Sequence, residues 1–174
     1  VLCIPDAHLH QKCPAKVTKN QALRSSPLNC VTAVMFHPFT EHLFSGGAND
    51  ALIKMWDLRK CKGLKNQPHP AQQLRYYGTS YSLMHGFTSL VLNKNCNKLF
   101  ANCTDHCIYE YDINSFRLSQ IYSGHKVNNF TKINVLDNHY LLSGSITKEV
   151  HVWSIKETPK PKKNFPICLL PQNE

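Results

Sequence analysis

The sequence contains no apolar run near the roughly 20 residues that a membrane-spanning helix needs. Its first residues, 1–5, are too few for the apolar core of a signal peptide, and no basic residue precedes them. We therefore expect neither a membrane partner nor a secretory signal. Charged residues are also scarce, at 18% against 42% apolar residues, and this balance is typical of a folded globular chain rather than a disordered one.

Acidic residues are the scarcest of the charged ones, because 11 Asp and Glu stand against 20 Lys and Arg, for a formal charge of +9. No acid occurs between Asp6 and Glu41, or between Asp57 and Asp105. Such an excess favours an acidic partner, either nucleic acid or an acidic protein surface. The alternative is an ordinary solvated basic surface.

Motifs of catalysis and metal binding are absent from the sequence. It has eight Cys but no Cys-x-x-Cys pair, no Gly-x-Ser-x-Gly turn and no glycine-rich phosphate loop. Several of the cysteines lie in or beside apolar stretches, which indicates buried thiols in a reducing compartment. We expect no catalytic residue, no metal and no cofactor.

A threefold repeat organises the chain. Each copy has three short strand-like runs separated by turn residues, and the third run ends on an aromatic residue. Those aromatic residues are Trp56, Tyr111 and Trp153, and the runs are 31–36, 42–47 and 51–58; 87–92, 98–103 and 107–113; and 130–135, 140–144 and 149–155. Additional outer strands are predicted at 72–77, 117–122 and 165–170.

A period of roughly 40–45 residues with Gly-His and Trp-Asp pairs resembles the WD40 family, whose propeller blades have four strands. Gly124-His125 precedes Trp153, and Trp56-Asp57 is a literal Trp-Asp pair. The resemblance predicts an all-β fold, a partial WD40 β-propeller of about three four-stranded blades. Propellers have 4–8 blades, so three blades are an open arc.

The same resemblance divides the chain and implies a structural network in each blade. Residues 1–30 would hold the outer strand of a preceding blade (1–4) and a basic insertion. The blades would be 31–78, a degenerate 79–123, and 124–170, with a tail at 171–174. A His, a Ser, an Asp and the Trp hydrogen-bond across a blade of this family, and the implied residues are His8, Ser45, Asp50, Trp56, Asp105, His125, Ser143 and Trp153. Tyr111 and Ala101 replace the Trp and Ser of the second blade, and Thr147 replaces the Asp of the third.

A more specific resemblance concerns Ile53–Lys60, which contains a Trp-Asp-x-Arg box, and Leu99–Asp105. Both are similar to segments of the denticleless family, the WD40 substrate receptors of cullin-4 RING ubiquitin ligases. The resemblance implies that Asp57 and Arg59 contact the DNA-damage-binding adaptor of the ligase. It also implies a non-catalytic nuclear protein, also found in the cytoplasm, that presents replication and cell-cycle substrates bound to the sliding clamp on chromatin.

Two alternatives remain open at this point. One is a generic WD40 protein-interaction scaffold. The other is a basic chromatin- or nucleic-acid-binding module, in which the loops at 12–24, 59–65 and 160–163 contact phosphates weakly and Tyr76 and Tyr77 stack on bases.

Overall fold

A computed structural model describes residues 3–4, 7–8, 30–61, 69–78, 85–128, 130–156 and 163–171. Within these ranges the chain forms thirteen β-strands in three sheets and one helical turn. The fold is the predicted all-β partial propeller. No helix in the described ranges is long and apolar enough to cross a membrane.

The first blade is a four-stranded antiparallel sheet in simple up-and-down order. Its strands are β1 (Val31–Phe36), β2 (His42–Gly47), β3 (Leu52–Asp57) and β4 (Gln72–Arg75), and the helical turn α1 (Leu58–Cys61) follows β3. The tight turn before β3 suits Asp50, whose Oδ1 accepts a hydrogen bond from the amide of Leu52 at 3.2 Å.

The second blade repeats this order with β5 (Phe87–Leu92), β6 (Lys98–Cys103), β7 (Cys107–Asp112) and β8 (Arg117–Ser123). Blades one and two have an irregular register near the start of the inner strand, between Val31 and Ala33 and between Phe87 and Ser89. The two irregularities lie at equivalent positions, so the two blades share a detail of backbone pairing as well as a residue pattern.

The third blade consists of β9 (Ile133–Leu136), β10 (Tyr140–Gly144), β11 (Glu149–Ser154) and the outer strand β13 (Cys168–Pro171). A short strand β12 (Lys163–Asn164) leaves this blade and pairs in parallel with β8, so the second sheet has five strands. The pairing of β12 with β8 therefore connects the second and third blades.

Three predicted strand boundaries were wrong by two or more residues. The third inner strand begins at Ile133 rather than Phe130, and Phe130 is 84% exposed. The outer strand of the third blade begins at Cys168 instead of Phe165, because the preceding residues pair with β8. The outer strand of the first blade ends at Arg75 rather than Tyr77.

The predicted N-terminal outer strand, residues 1–4, falls partly outside the described residues. Cys3 and Ile4 are described and lie outside any strand. Most of the basic insertion, the loop at 62–68 and the segment 157–162 are likewise outside the described ranges.

Two apolar clusters join the blades. The first combines Phe44, Ile53 and Met55 of blade one with buried residues of blade two, among them Leu90 and Tyr111. The second combines the opposite face of blade two with the third blade, and its buried members are Phe100, Ile108, Tyr122, Ile133, Leu141 and Trp153. Burial of this area from water is the main stabilising contribution to the arc.

Candidate functional site

The four network residues implied for the first blade are joined by hydrogen bonds. Trp56 Nε1 donates to Ser45 Oγ at 2.8 Å, and Ser45 Oγ lies 2.8 Å from His8 Nε2. His8 Nδ1 lies 2.6 Å from Asp50 Oδ2. Because the indole can only donate, every donor in this series of hydrogen bonds has an acceptor when Ser45 donates to His8 and His8 donates to Asp50. The network thus connects residue 8 to β2, β3 and the turn between them.

The surroundings of this network are tightly packed. A Cβ added to Gly47 would lie 2.2 Å from Asp50 Oδ1 and 2.5 Å from His8 Nδ1, so only glycine fits. Lys54 Nζ donates to the carbonyl of Ala7 at 2.6 Å and lies 4.0 Å from Asp50. His8, Ser45 and Trp56 are nearly completely buried, so the arrangement stabilises the blade and offers no surface to a substrate.

The second blade builds a different contact around Asp105. Its carboxylate accepts hydrogen bonds from the hydroxyl of Tyr109 and from the amide of Cys107, the latter at 3.0 Å. Burial and the neighbouring Asp105 carboxylate raise the pKa of Tyr109, so this phenol stays protonated. Tyr111, in place of a Trp, donates instead to the carbonyl of Arg75 in the first blade at 2.8 Å.

The prediction of a hydrogen-bonded network among His125, Ser143 and Trp153 of the third blade was wrong, because these three side chains have other partners. Ser143 Oγ donates to the adjacent carbonyl of Gly144 at 2.8 Å. Trp153 Nε1 donates to the carbonyl of Ser123 at 3.2 Å. Thr147, at the position of the missing Asp, is exposed. The blade is held here by ring packing rather than by a side-chain relay.

His125 instead contacts the second blade. Its Nε2 lies 3.0 Å from Asn102 Oδ1, while its buried Nδ1 has no hydrogen-bond partner. Its ring packs edge-on against Trp153 with the ring centroids 5.2 Å apart, and His151 stacks on the same indole at 5.7 Å. Burial, and then the neighbouring His151 and His106, lower the pKa of His125 to about 4.

Asp57 and Arg59 lie together where β3 ends. Asp57 Oδ1 accepts hydrogen bonds from Arg59 Nε at 3.0 Å and from the Arg59 amide at 3.1 Å, and Oδ2 accepts one from Nη2 at 3.0 Å. These bonds lower the pKa of Asp57 to about 2. The Asp57 side chain is 7% exposed, whereas that of Arg59 is 66% exposed. The carboxylate therefore orients the guanidinium, and the guanidinium is the group that a partner can reach.

An open cleft adjoins Arg59 at this end of the blade. It is lined by the β1–β2 turn, including the exposed aromatic Phe39, and by Glu41 and His42. An exposed aromatic ring beside an oriented guanidinium is typical of residues that carry binding energy at protein interfaces.

Sulfur and imidazole groups do not assemble into a metal centre in the described ranges. Cys3, Cys30, Cys61, Cys96 and Cys103 are free thiols. No group of three or more described His, Cys, Asp or Glu side chains has metal-binding geometry. Tyr76, a candidate for stacking on nucleic-acid bases, packs instead against His85 at 5.4 Å and Tyr109 at 5.6 Å.

The family described as WD domain, G-beta repeat matches residues 19–57, which end on the Trp56-Asp57 pair. The chain is a WD40-repeat protein. It is 36% identical to the denticleless protein homolog of Gallus gallus over 92% of its own length and 24% of that protein. It is 33% identical to the homolog of Danio rerio, covering 88% of the chain and 25% of the relative. It is 35% identical to protein lethal(2)denticleless of Drosophila melanogaster, over 75% of the chain and 17% of that protein. The chain thus spans about a quarter or less of the length of these relatives.

One polar cluster of this WD40 arc was missed by sequence reasoning. Asn102, fully buried, donates through Nδ2 to Thr88 Oγ1 at 2.9 Å and to the carbonyl of Thr131 at 3.3 Å, and it contacts His125. It joins the inner strand of blade two to the residues just before the inner strand of blade three. The only sequence signal was an Asn within an apolar strand, a residue type that is buried only when its hydrogen bonds are satisfied.

Proposed function

We propose that the chain acts in substrate reception by a cullin-4 RING ubiquitin ligase, docking on the DNA-damage-binding adaptor through Arg59. The observation that carries the proposal is the oriented Asp57–Arg59 pair on the exposed end of a WD40 blade. The similarity to denticleless proteins over most of the chain supports it. The chain would be a non-catalytic subunit, because the blade network residues are buried and serve the fold.

The physical case for Arg59 rests on preorganisation. Its guanidinium is held by two hydrogen bonds from Nε and Nη2 to one carboxylate, so little rotamer entropy remains to be lost on binding. The ring of Phe39 beside it would add apolar contact. The expected contact on the adaptor is therefore a carboxylate or backbone carbonyl next to an apolar side chain.

The rest of the proposal follows from the role of such a subunit. Ubiquitin transfer would be carried out by other subunits, and the receptor would contribute by holding a substrate lysine near the charged transferase. The substrates would be replication and cell-cycle proteins bound to the sliding clamp on chromatin. The place of action would then be the nucleus.

The test is a pull-down of the purified adaptor by the full 174-residue chain and by its Arg59→Glu variant. We expect Arg59→Glu to lose most of the bound adaptor, because the new carboxylate would repel Asp57 and the carboxylate or carbonyl on the adaptor. Arg75→Glu is the matched control, since Arg75 is exposed at the opposite end of the same blade, on β4. Equal capture by both variants, with unchanged circular dichroism, would exclude docking through Arg59.

A second candidate function, nucleic-acid binding, is favoured by the charges at the same end of the arc. Exposed basic residues lie in or directly beside the connections that follow the first and third strands of the blades, namely Arg59, Lys60, Lys94, Arg117 and Lys156. Phosphate contacts would make affinity fall steeply as salt rises. Fluorescence anisotropy with duplex DNA across a salt series separates this function from adaptor docking. If the chain binds neither the adaptor nor DNA, a generic WD40 protein-interaction scaffold is the remaining function.

A further inference from the structure

Phe130 has the most exposed large apolar side chain in the described ranges, at 84%. In the repeat it is equivalent to Phe87, because each precedes a Thr and stands three residues before an apolar residue of the inner strand, Leu90 or Ile133. Phe87 is fully buried. Phe130 lies at the junction of blades two and three, and the chain contains both blades. Its exposure therefore needs a local cause.

The residue opposite the aromatic ring differs between the two junctions. At the first junction, a Cβ added to Gly46 would lie only 3.0 Å from the Cβ of Phe87, so glycine makes room for the buried phenylalanine. Asn102 holds the equivalent position in blade two. Its side chain takes up the space and donates to the carbonyl of Thr131 at 3.3 Å. The second junction thus has no room for Phe130 in the place that Phe87 takes in the first.

The inner strands also meet in a different register at the two junctions. The hydroxyl of Thr32 donates to the carbonyl of Phe87, whereas that of the equivalent Thr88 donates to the carbonyl of Thr131, one residue further along, at 3.3 Å. Neighbouring side chains of an extended segment point in opposite directions, so a shift of one residue exchanges a buried direction for an exposed one. Asn102 and this shift together turn Phe130 towards solvent.

The loop that carries Phe130 is fixed by its own hydrogen bonds. Asn128 Oδ1 accepts from the amide of Phe130 at 2.9 Å and from the hydroxyl of Thr131 at 3.0 Å. The amide of Thr131 donates to the carbonyl of Asn128 at 3.2 Å. An aromatic side chain with few rotatable bonds on a fixed backbone loses little conformational entropy on binding. Phe130 is therefore suited to anchor a partner.

The surroundings of Phe130 are apolar and basic. The pairing of Ile133 with Ser143 puts the residues before β9 level with those after β10, where Ile146 is 54% exposed. The amide of Ile146 donates to the carbonyl of Lys126 at 3.1 Å. Lys126 is exposed, and so is Lys132, whose ammonium donates to the carbonyl of Thr88 at 2.9 Å. We call Lys126, Phe130, Lys132 and Ile146 the Phe130 surface.

The described carboxylates at this end of blades two and three have partners of their own. Asp105 accepts a hydrogen bond from Tyr109, and Glu149 accepts one from Thr147 at 2.8 Å. The two lysines of the Phe130 surface therefore give it a positive potential, which attracts acidic side chains.

We propose that the Phe130 surface binds an acidic segment of a partner protein, which places an apolar side chain against Phe130 and Ile146 and carboxylates beside the lysines. The aliphatic side chain of Ile146 favours an apolar side chain over a nucleobase, because sites for single-stranded nucleic acid present successive aromatic rings. First strands begin at one end of the blades and third strands finish at the other. The Phe130 surface thus lies opposite Arg59, and the proposal does not rest on adaptor docking.

Amide NMR of the full 174-residue chain tests the proposal with three labelled hexapeptides. Each has a central Leu-Leu pair, flanked on both sides by two Glu, two Ser or two Lys. We expect the Glu-flanked peptide to shift the amide signals of Phe130 and Ile146 and to bind most tightly. No shift of these signals, or equal affinity for the Lys-flanked peptide, would overturn the proposal. An oligothymidine that shifts them when the Glu-flanked peptide does not would assign the surface to nucleic acid instead.

Two variants at exposed aromatic residues complete the test. Phe130→Ala should raise the Kd of the Glu-flanked peptide by about tenfold, as loss of an interface anchor does. Phe39→Ala is the matched control, since Phe39 is 78% exposed at the opposite end of the arc, and it should leave this Kd unchanged. Adaptor capture should be unaffected by Phe130→Ala, which separates this surface from docking through Arg59. Equal Kd values for the two folded variants would exclude Phe130 as the anchor.

Discussion

Replacement of Ser45 by Ala provides a quantitative test of the blade-one network. Ser45 Oγ is the shared partner of Trp56 Nε1 and His8 Nε2, both at 2.8 Å, and all three side chains are almost inaccessible to water. Alanine would leave a buried indole N–H and a buried imidazole nitrogen unsatisfied. At about 1–3 kcal/mol for each of these two groups, the free energy of unfolding should fall by about 2–6 kcal/mol.

The matched control is Ser143→Ala, because Ser143 occupies the equivalent place in blade three. Its hydroxyl donates only to the neighbouring carbonyl of Gly144, so removal should cost about 0.5–1.5 kcal/mol. Urea unfolding followed by circular dichroism measures both, and an unchanged m-value would show that the two unfolding transitions are comparable. If the two variants lose the same stability, the hydrogen bonds of Ser45 do not stabilise the blade as argued.

Two further outcomes follow from burial and close packing. His125 has a pKa lowered from its usual 6.5 to about 4 by burial, so the unfolded state takes up a proton first and stability should fall as pH drops from 6.5 towards 4. His125→Asn should reduce this pH dependence of the urea midpoint, and an unchanged dependence would contradict the assignment to His125. Gly86→Ala should destabilise by about 3 kcal/mol, because its Cβ would lie 1.7 Å from the carbonyl oxygen of Ala48. Gly144→Ala has nothing within 4 Å of the new Cβ, and thermal unfolding should separate the two variants.

Most strands could be predicted from the sequence because the repeat is expressed in local patterns. Alternating apolar residues between turn-forming Asp, Asn and Gly specify strands such as β2 and β6 without reference to other parts of the chain. The predicted strand boundaries were wrong where contacts with residues distant in sequence determine them. Residues 163–164 pair with β8, and this pairing shifts the outer strand of blade three towards the C-terminus.

The hydrogen-bonded networks could be predicted only where all four residue types were present. His8, Ser45, Asp50 and Trp56 form the relay that the resemblance implied. In blade three the Asp is missing, so His125 has no acceptor there and turns to Asn102 of the neighbouring blade. Such a choice depends on which groups the packing of two blades brings within hydrogen-bond distance.

The sequence by itself determined the repeat, the four-stranded unit and the Trp-Asp-x-Arg box, because each is a local pattern of residue types. Tertiary structure alone decided that Asp57 is buried while Arg59 is exposed, and that Asn102 bridges two blades. It also decided that Val34 is exposed where Leu90 and Ile133 are buried. Burial depends on the neighbouring blade, so residues of similar type at equivalent positions differ in burial when only some of them are covered by another blade among the described residues.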